Sequence, residues 1–210
     1  MIGDVQNLRA RFARAVVAAG AARASDAVFA QLVTRYGEHH RHYHTLTHVN
    51  ACLMWLDRFP SVAEHPQEVE LALWFHDAVY DPRSSDNERL SAQLARDALN
   101  SLGVVQASID RITRYIEATE SHTAMTGDAT LVIDLDLAIL GSSSPDFNRF
   151  EMQIRKEYAH VPDPLYRAGR CRVLQGFLAR SLIYQEPRIG EVLEAPARRN
   201  LERRVRELSL

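Results

Sequence analysis

The chain has 210 residues, 46% hydrophobic and 25% charged, with 25 basic against 27 acidic side chains and a formal net charge of -2. A chain of this length buries roughly 70% of the surface its unfolded form exposes, so one core without disulfides is expected, within a single domain spanning residues 1–210. Near-neutral charge excludes the basic face that a nucleic-acid polymer or an anionic membrane requires, so any phosphate-bearing partner has to be small and held in a local pocket.

The two cysteines, Cys52 and Cys171, are far apart and in no metal-ligand spacing, which fits a reducing, cytoplasmic setting. No stretch approaches about 18 consecutive apolar residues, so no membrane span is expected. Residues 1–20 carry Asp4 and three arginines among alanines and read as an amphipathic helix, not as a secretory signal.

Apolar residues recur at three- and four-residue spacing almost throughout, which predicts an all-α chain of about nine or ten helices. Leu8, Phe12, Ala15 and Val16 mark the first, and Ala27, Phe29, Leu32, Val33 and Tyr36 the second, which Gly37 stops. These two, within residues 1–36, form the N-terminal part. A histidine-rich loop follows. Thr45 is a good cap for a helix from Leu46 to about Phe59, which Pro60 ends, and a further helix is expected from about Pro66 to Val79. Ser85-Asp86-Asn87-Glu88 matches a capping box that opens a helix to about Leu102, closed by Gly103.

Another helix is expected from Gln106 to Ser121. Leu131-Val132-Ile133 is locally strand-like, but Asp128 before it and Gly141 after it also bound a short helix, and helix is the reading taken. Ser144-Pro145 starts a helix to about Tyr158, and Pro162 and Pro164 separate it from one holding Leu174, Phe177 and Leu178. An arginine-rich helix from about Ile189 to Leu208, within residues 186–210, closes the chain and is expected to pack on the rest.

Three segments carry residues able to do chemistry. Five of nine histidines, His39, His40, His42, His44 and His48, fall within ten positions. A polar loop accounts for any one of them, but a helix after Thr45 places His48 in its first turn, where neutral imidazole is an apt metal ligand. His76-Asp77 lies in the run Leu73 to Val79, apolar enough to be buried nearly all round, and a charge there has to be paired or metal-bound. Asp134-Leu135-Asp136-Leu137 again sets acids in an apolar run, and carboxylates two residues apart do not share a helix face.

His48, His76-Asp77 and a later aspartate, in order on separate helices, resemble the HD superfamily of metal-dependent phosphohydrolases. Tyr43-His44-Thr45-Leu46-Thr47-His48, Trp74 to Asp81, Asp86-Asn87-Glu88 with Ser91-Ala92, Asp134 to Leu137 with Leu140-Gly141, and Ile154-Arg155-Lys156-Glu157-Tyr158 are similar to a family of bacterial HD phosphohydrolases, over residues 35–200 or so. The resemblance implies an HD-type helical bundle in which His48, His76 and Asp77 ligate a divalent metal. Asp136 is favoured as the fourth ligand, with Asp134 as the alternative.

Two imidazoles and two carboxylates neutralise a divalent ion and leave positions open for water and a phosphate oxygen. Mn²⁺, Mg²⁺, Co²⁺, Fe²⁺ and Zn²⁺ all suit such a set. Asp81, expected one turn beyond Asp77 on the same helix, is a candidate general base, as are Glu88 and His122; His122 is also a candidate ligand for a second metal. His44, Arg155, Lys156 and Arg170 are candidate substrate contacts.

The expected activity is hydrolysis of a small phosphate ester, a nucleotide among the candidates. The competing expectation is a ligand sensor or scaffold whose metal is structural or absent. A di-iron oxygenase relative would need more histidines than His122 supplies. Oligomeric state, a homodimer included, is left open by the sequence.

Overall fold

The structure is a computed structural model that describes residues 5–122 and 127–210. Asp4 and the rest of the first four residues of the expected N-terminal helix lie outside it. All the described elements are helical: α1 (Val5–Ala18), α2 (Asp26–Tyr36), α3 (Leu46–Arg58), α4 (Pro66–Phe75), α5 (Asn87–Ser101), α6 (Gln106–Ala118), α7 (Asp128–Asp136), a 3-10 turn (Leu137–Gly141), α8 (Ser144–Glu157), α9 (Asp163–Leu178) and α10 (Pro187–Leu208). Among the described residues, no helix is long and apolar enough to cross a membrane. The chain divides into two compact units between Asp136 and Leu137.

In the first unit α4 is the central helix and touches α1, α3, α5, α6 and α7. Its side chains explain why: Val69, Leu71, Ala72, Leu73, Trp74 and Phe75 are all buried, so the helix has no solvent stripe and has to be covered on every side. Phe12 of α1 and Phe29 of α2 meet Trp74 edge-on, with ring centroids 5.5 and 6.1 Å away, a favoured aromatic geometry. The two acids of α4 are each matched by an arginine. Arg111 forks onto Glu68 with two bonds of 2.6 Å, and Arg11 donates to Glu70 at 3.0 Å.

The segment from Asp128 is helical, not extended, and its first residue secures it from a distance: both Asp128 carboxylate oxygens accept backbone N–H bonds, from Glu64 and His65. Thr45 caps α3 as expected, accepting from the Thr47 N–H.

Two expected boundaries are corrected. The helix expected to reach Val79 ends at Phe75, with His76 as its C-terminal cap. Beyond it the backbone is claimed by side chains: Arg41 donates to the Asp77 and Ala78 carbonyls, and the Ser91 hydroxyl both accepts from the Val79 N–H and donates to its carbonyl. Those groups are unavailable to a helical ladder, and Asp81 therefore does not share a helix with Asp77. The cap of α5 is Asp86, not Ser85, and no capping-box bond forms. Asn87, the first helical residue, instead turns its side chain back onto the Asp81 N–H and carbonyl.

In the second unit α10 packs on α9 and on the 3-10 turn. The Tyr184 hydroxyl donates to the Leu137 carbonyl, and Asn200 donates to those of Leu140 and Ser142. Gly141 is required there because a Cβ would lie 2.8 Å from Leu193. Glu151, buried on α8, is held by Arg170 at 2.5 Å and Arg204 at 3.0 Å.

Candidate metal centre

His48 enters from the first turn of α3, His76 and Asp77 from the end of α4, and Asp136 from the last residue of α7. One ligand atom from each lies within 4.8 Å of all the others. The two imidazoles face each other through Nε2 at 3.1 Å. His48 Nε2 lies 3.0 Å from Asp136 Oδ1 and 3.6 Å from Asp77 Oδ2. His76 Nε2 lies 3.0 Å from Asp77 Oδ2 and 3.5 Å from Asp136 Oδ1. All four belong to the first unit.

Local structure determines how His76 is presented. Its Nδ1 lies 2.9 Å from the Leu73 carbonyl, which can only accept, so Nδ1 carries the proton and Nε2 is turned inward. His48 is buried with the Cys52 thiol one turn on, Sγ 3.7 Å from its Nδ1. Burial pushes that thiol well up, and the charges of Asp136 and Asp77 add to the shift, so Cys52 stays a neutral packing group.

Charge dominates the cluster. Burial by itself would raise the Asp77 carboxyl, but His76 and then His44 outweigh it and hold it far below the usual carboxylate range. Burial opposes ionisation of Asp136 too, yet hydrogen bonds from His122, His48 and His76 drive it well down. Burial lowers His76, but Asp77 and Asp136 more than reverse that and lift it well above an ordinary histidine. The cluster thus gathers two carboxylates around the two imidazoles, and their charge favours a proton on His76. A divalent cation would neutralise the same two carboxylates, and two nitrogens with two carboxylate oxygens are a donor set that Zn²⁺, Fe²⁺, Mn²⁺ and Co²⁺ accept. The residues present fit a metal ion.

The other expected site residues fall in different places. Asp134 is fully buried on α7 and stands outside the four-residue group. His122 sits at the edge of the cluster, Nε2 3.3 Å from the second oxygen of Asp136, on a backbone with φ of 47°, a left-handed conformation that costs a non-glycine residue about 1 kcal/mol. Glu88 is half-buried; burial raises its carboxyl, the charges of Asp77 and Glu120 raise it further, and His122 opposes them. It therefore lies within the field of the cluster. The His44 ring stacks on Tyr80 with centroids 4.1 Å apart, and Tyr43 lies 4.6 Å from the His48 ring.

Asp81 is exposed, and its Oδ1 accepts from the Arg83 N–H at 2.9 Å, the bond of a local turn.

The basic residues belong to the second unit. Arg155 donates to the carbonyls of Tyr158 and Val161 and pairs with Asp163 at 3.3 Å. Arg170 is bound to Glu151, and exposed Lys156 lines a cavity of about 460 Å³ with Arg155, Arg203 and Arg204. The two arginines thus have their partners inside that unit.

Sequence reasoning missed Arg41, which reads as one more polar residue of the histidine loop and is in fact buried. Comparison with protein-family models, with curated proteins and with solved structures yields no match.

Proposed function

We propose that this chain is a cytoplasmic, metal-dependent phosphohydrolase of the HD superfamily, acting on a small phosphate ester such as a nucleotide. The observation that carries the reading is the convergence of His48, His76, Asp77 and Asp136, drawn from three helices in the HD order, on one point. Four donors leave a divalent ion short of a full octahedral shell, which favours a catalytic over a purely structural role.

A bound ion would supply Lewis acidity to a phosphoryl oxygen and to water. The rest falls to the chain. His48, His76, Asp77 and Asp136 hold the ion and, by their two negative charges, neutralise it. Glu88, whose carboxyl is raised by burial and by Asp77, keeps its proton to higher pH than an exposed glutamate and is suited to protonate a leaving oxygen. His122 holds Asp136 through its second oxygen. His44, against Tyr80 and close enough to lower Asp77, is suited to meet substrate beside the cluster.

The test is hydrolysis of a panel of phosphomonoesters, cyclic diesters and nucleotides with added Mn²⁺, Co²⁺ or Mg²⁺. Metal-dependent release of phosphate that is lost in Asp77→Ala supports the reading. Stoichiometric metal with no turnover across the panel would overturn it in favour of a sensor or scaffold.

A further inference from the structure

We infer that Arg41 is a positioning residue of the metal centre: it fixes the turn that aims Asp77, and so sets how tightly the cluster binds a divalent cation. The inference rests on the metal reading above. The Arg41 side chain is fully enclosed, with its guanidinium 5.2 Å from the centre of the Tyr36 ring and 5.5 Å from that of Tyr80.

Its bonds hold its own loop, through Glu38 and the His44 carbonyl, and tie that loop to the segment after α4, through the Asp77 and Ala78 carbonyls. Nη1 donates to the Asp77 carbonyl at 2.7 Å and to the His44 carbonyl at 3.1 Å, Nη2 donates to the Ala78 carbonyl at 3.2 Å, and Nε donates to Glu38 at 3.0 Å. The Tyr36 hydroxyl donates to the Trp74 carbonyl at 3.0 Å, so the end of α4 is pinned on both sides of His76.

The physical consequence concerns aim. Asp77 follows the last turn of α4, where one turn bond, from the Ala78 N–H to the Phe75 carbonyl, spans it and the Asp77 and Ala78 carbonyls have no helical donor, so a short carboxylate there needs further support to keep its aim. Arg41 replaces the missing ladder bonds with a planar fork to two consecutive carbonyls. The same fork ties in the histidine loop through the His44 carbonyl. A lysine at this position would present one compact ammonium and could not span the three carbonyls in that geometry.

Arg111, also in the first unit, serves as the control: it forks onto buried Glu68 and touches none of the four ligands. The full chain, stripped by chelation, is titrated with Co²⁺ by calorimetry and by visible absorption, as wild type, Arg41→Lys, Arg41→Met and Arg111→Met. Arg41→Met is expected to weaken Co²⁺ binding by about 10- to 100-fold and to alter the absorption band, as loss of a ligand's supporting contacts does elsewhere. Arg41→Lys should recover part of that affinity. Arg111→Met should lower the melting temperature and leave Co²⁺ affinity unchanged.

Wild-type affinity in a folded Arg41→Met would overturn the inference, as would an equal loss in Arg111→Met. Should Arg41→Met not fold, Arg41→Lys decides, and wild-type affinity there overturns it. A wild-type chain that takes up no Co²⁺ removes the metal reading itself, and this inference with it.

Discussion

His48 Nε2 and Asp136 Oδ1 lie 3.0 Å apart, the first turn of α3 against the last residue of α7. Neither helix places the other's residue by local sequence, so this contact reports how α3 and α7 are set against each other and against α4. It also puts Asp136, and not Asp134, beside the imidazoles, because two residues along a helix turn the side chain by roughly 200°.

Asp136→Asn is therefore expected to lower metal affinity by about tenfold or more, by replacing a charged ligand oxygen with a neutral one. Asp134→Asn should leave affinity near wild type and act on stability. Calorimetric titration of both variants with Mn²⁺ makes the comparison; a larger loss in Asp134→Asn would transfer the ligand role to Asp134.

A second prediction separates the acids beside the cluster. Glu88→Gln should reduce turnover by roughly 10²- to 10⁴-fold with metal content unchanged, since the amide keeps the shape but cannot exchange a proton. Asp81→Asn should stay within a few-fold of wild type, because asparagine still accepts the Arg83 N–H that Asp81 now binds. A large loss in Asp81→Asn alone would return the general base to that position.

The sequence carried the all-helical class, the cap at Thr45, the helix that Asp128 begins, and the three segments that bring the four clustered residues. Those signals are local: spacing, a capping hydroxyl, acids in an apolar run. What it could not carry depends on tertiary partners. The end of α4 at Phe75 follows from Arg41 and Ser91 taking the next backbone groups, and neither residue is near it in sequence. Glu88 looked like half of a capping box, yet Asp86 starts the helix and leaves the Glu88 carboxyl to the cluster's field. Arg155 and Arg170 looked like phosphate clamps, and the structure shows them bonded to the Tyr158 and Val161 carbonyls and to Glu151. Nothing in a lone arginine announces whether its partner is a ligand or a neighbouring carbonyl.

Acid should act on the fold through Glu68. Burial disfavours its charge, but hydrogen bonds from Arg111 and Ser108 outweigh that and lower its pKa. A carboxyl lowered on folding adds stability above its unfolded pKa, near 4.3, and loses it as pH falls through the lower folded value. Glu68→Gln should thus flatten the acid limb of a melting-temperature profile below about pH 4. An unchanged acid limb would remove Glu68 from the account.

Protons should also compete with the ion at the metal site. Both imidazoles have to be neutral to bind, and His76 is raised well above an ordinary histidine in the metal-free chain, so uptake of the ion displaces a proton. Without metal, the stabilisation His76 gains from its carboxylates is present in full below the unfolded pKa and fades as pH rises through the folded one. Metal affinity should rise over the same interval, with protons released on binding, measured as a buffer-dependent calorimetric heat. Affinity that stays level from pH 6 to about 9 would contradict a ligand role for His76.

Burial around α4 gives a stability prediction independent of any metal. Leu73 is fully enclosed, and Leu73→Ala should cost about 2 to 5 kcal/mol in denaturant unfolding. A cost under about 1 kcal/mol would mean that the centre of the first unit repacks around the cavity.

The central claim is that His48, His76, Asp77 and Asp136 together hold a divalent ion. Elemental analysis of the chelated chain after incubation with Mn²⁺, Co²⁺, Fe²⁺, Zn²⁺ and Mg²⁺ tests it most directly, on wild type beside His76→Ala and Asp77→Ala. The account predicts stoichiometric uptake of at least one of these ions by the wild type and none by either variant. Equal occupancy in all three proteins, or a wild type that stays metal-free, would contradict it.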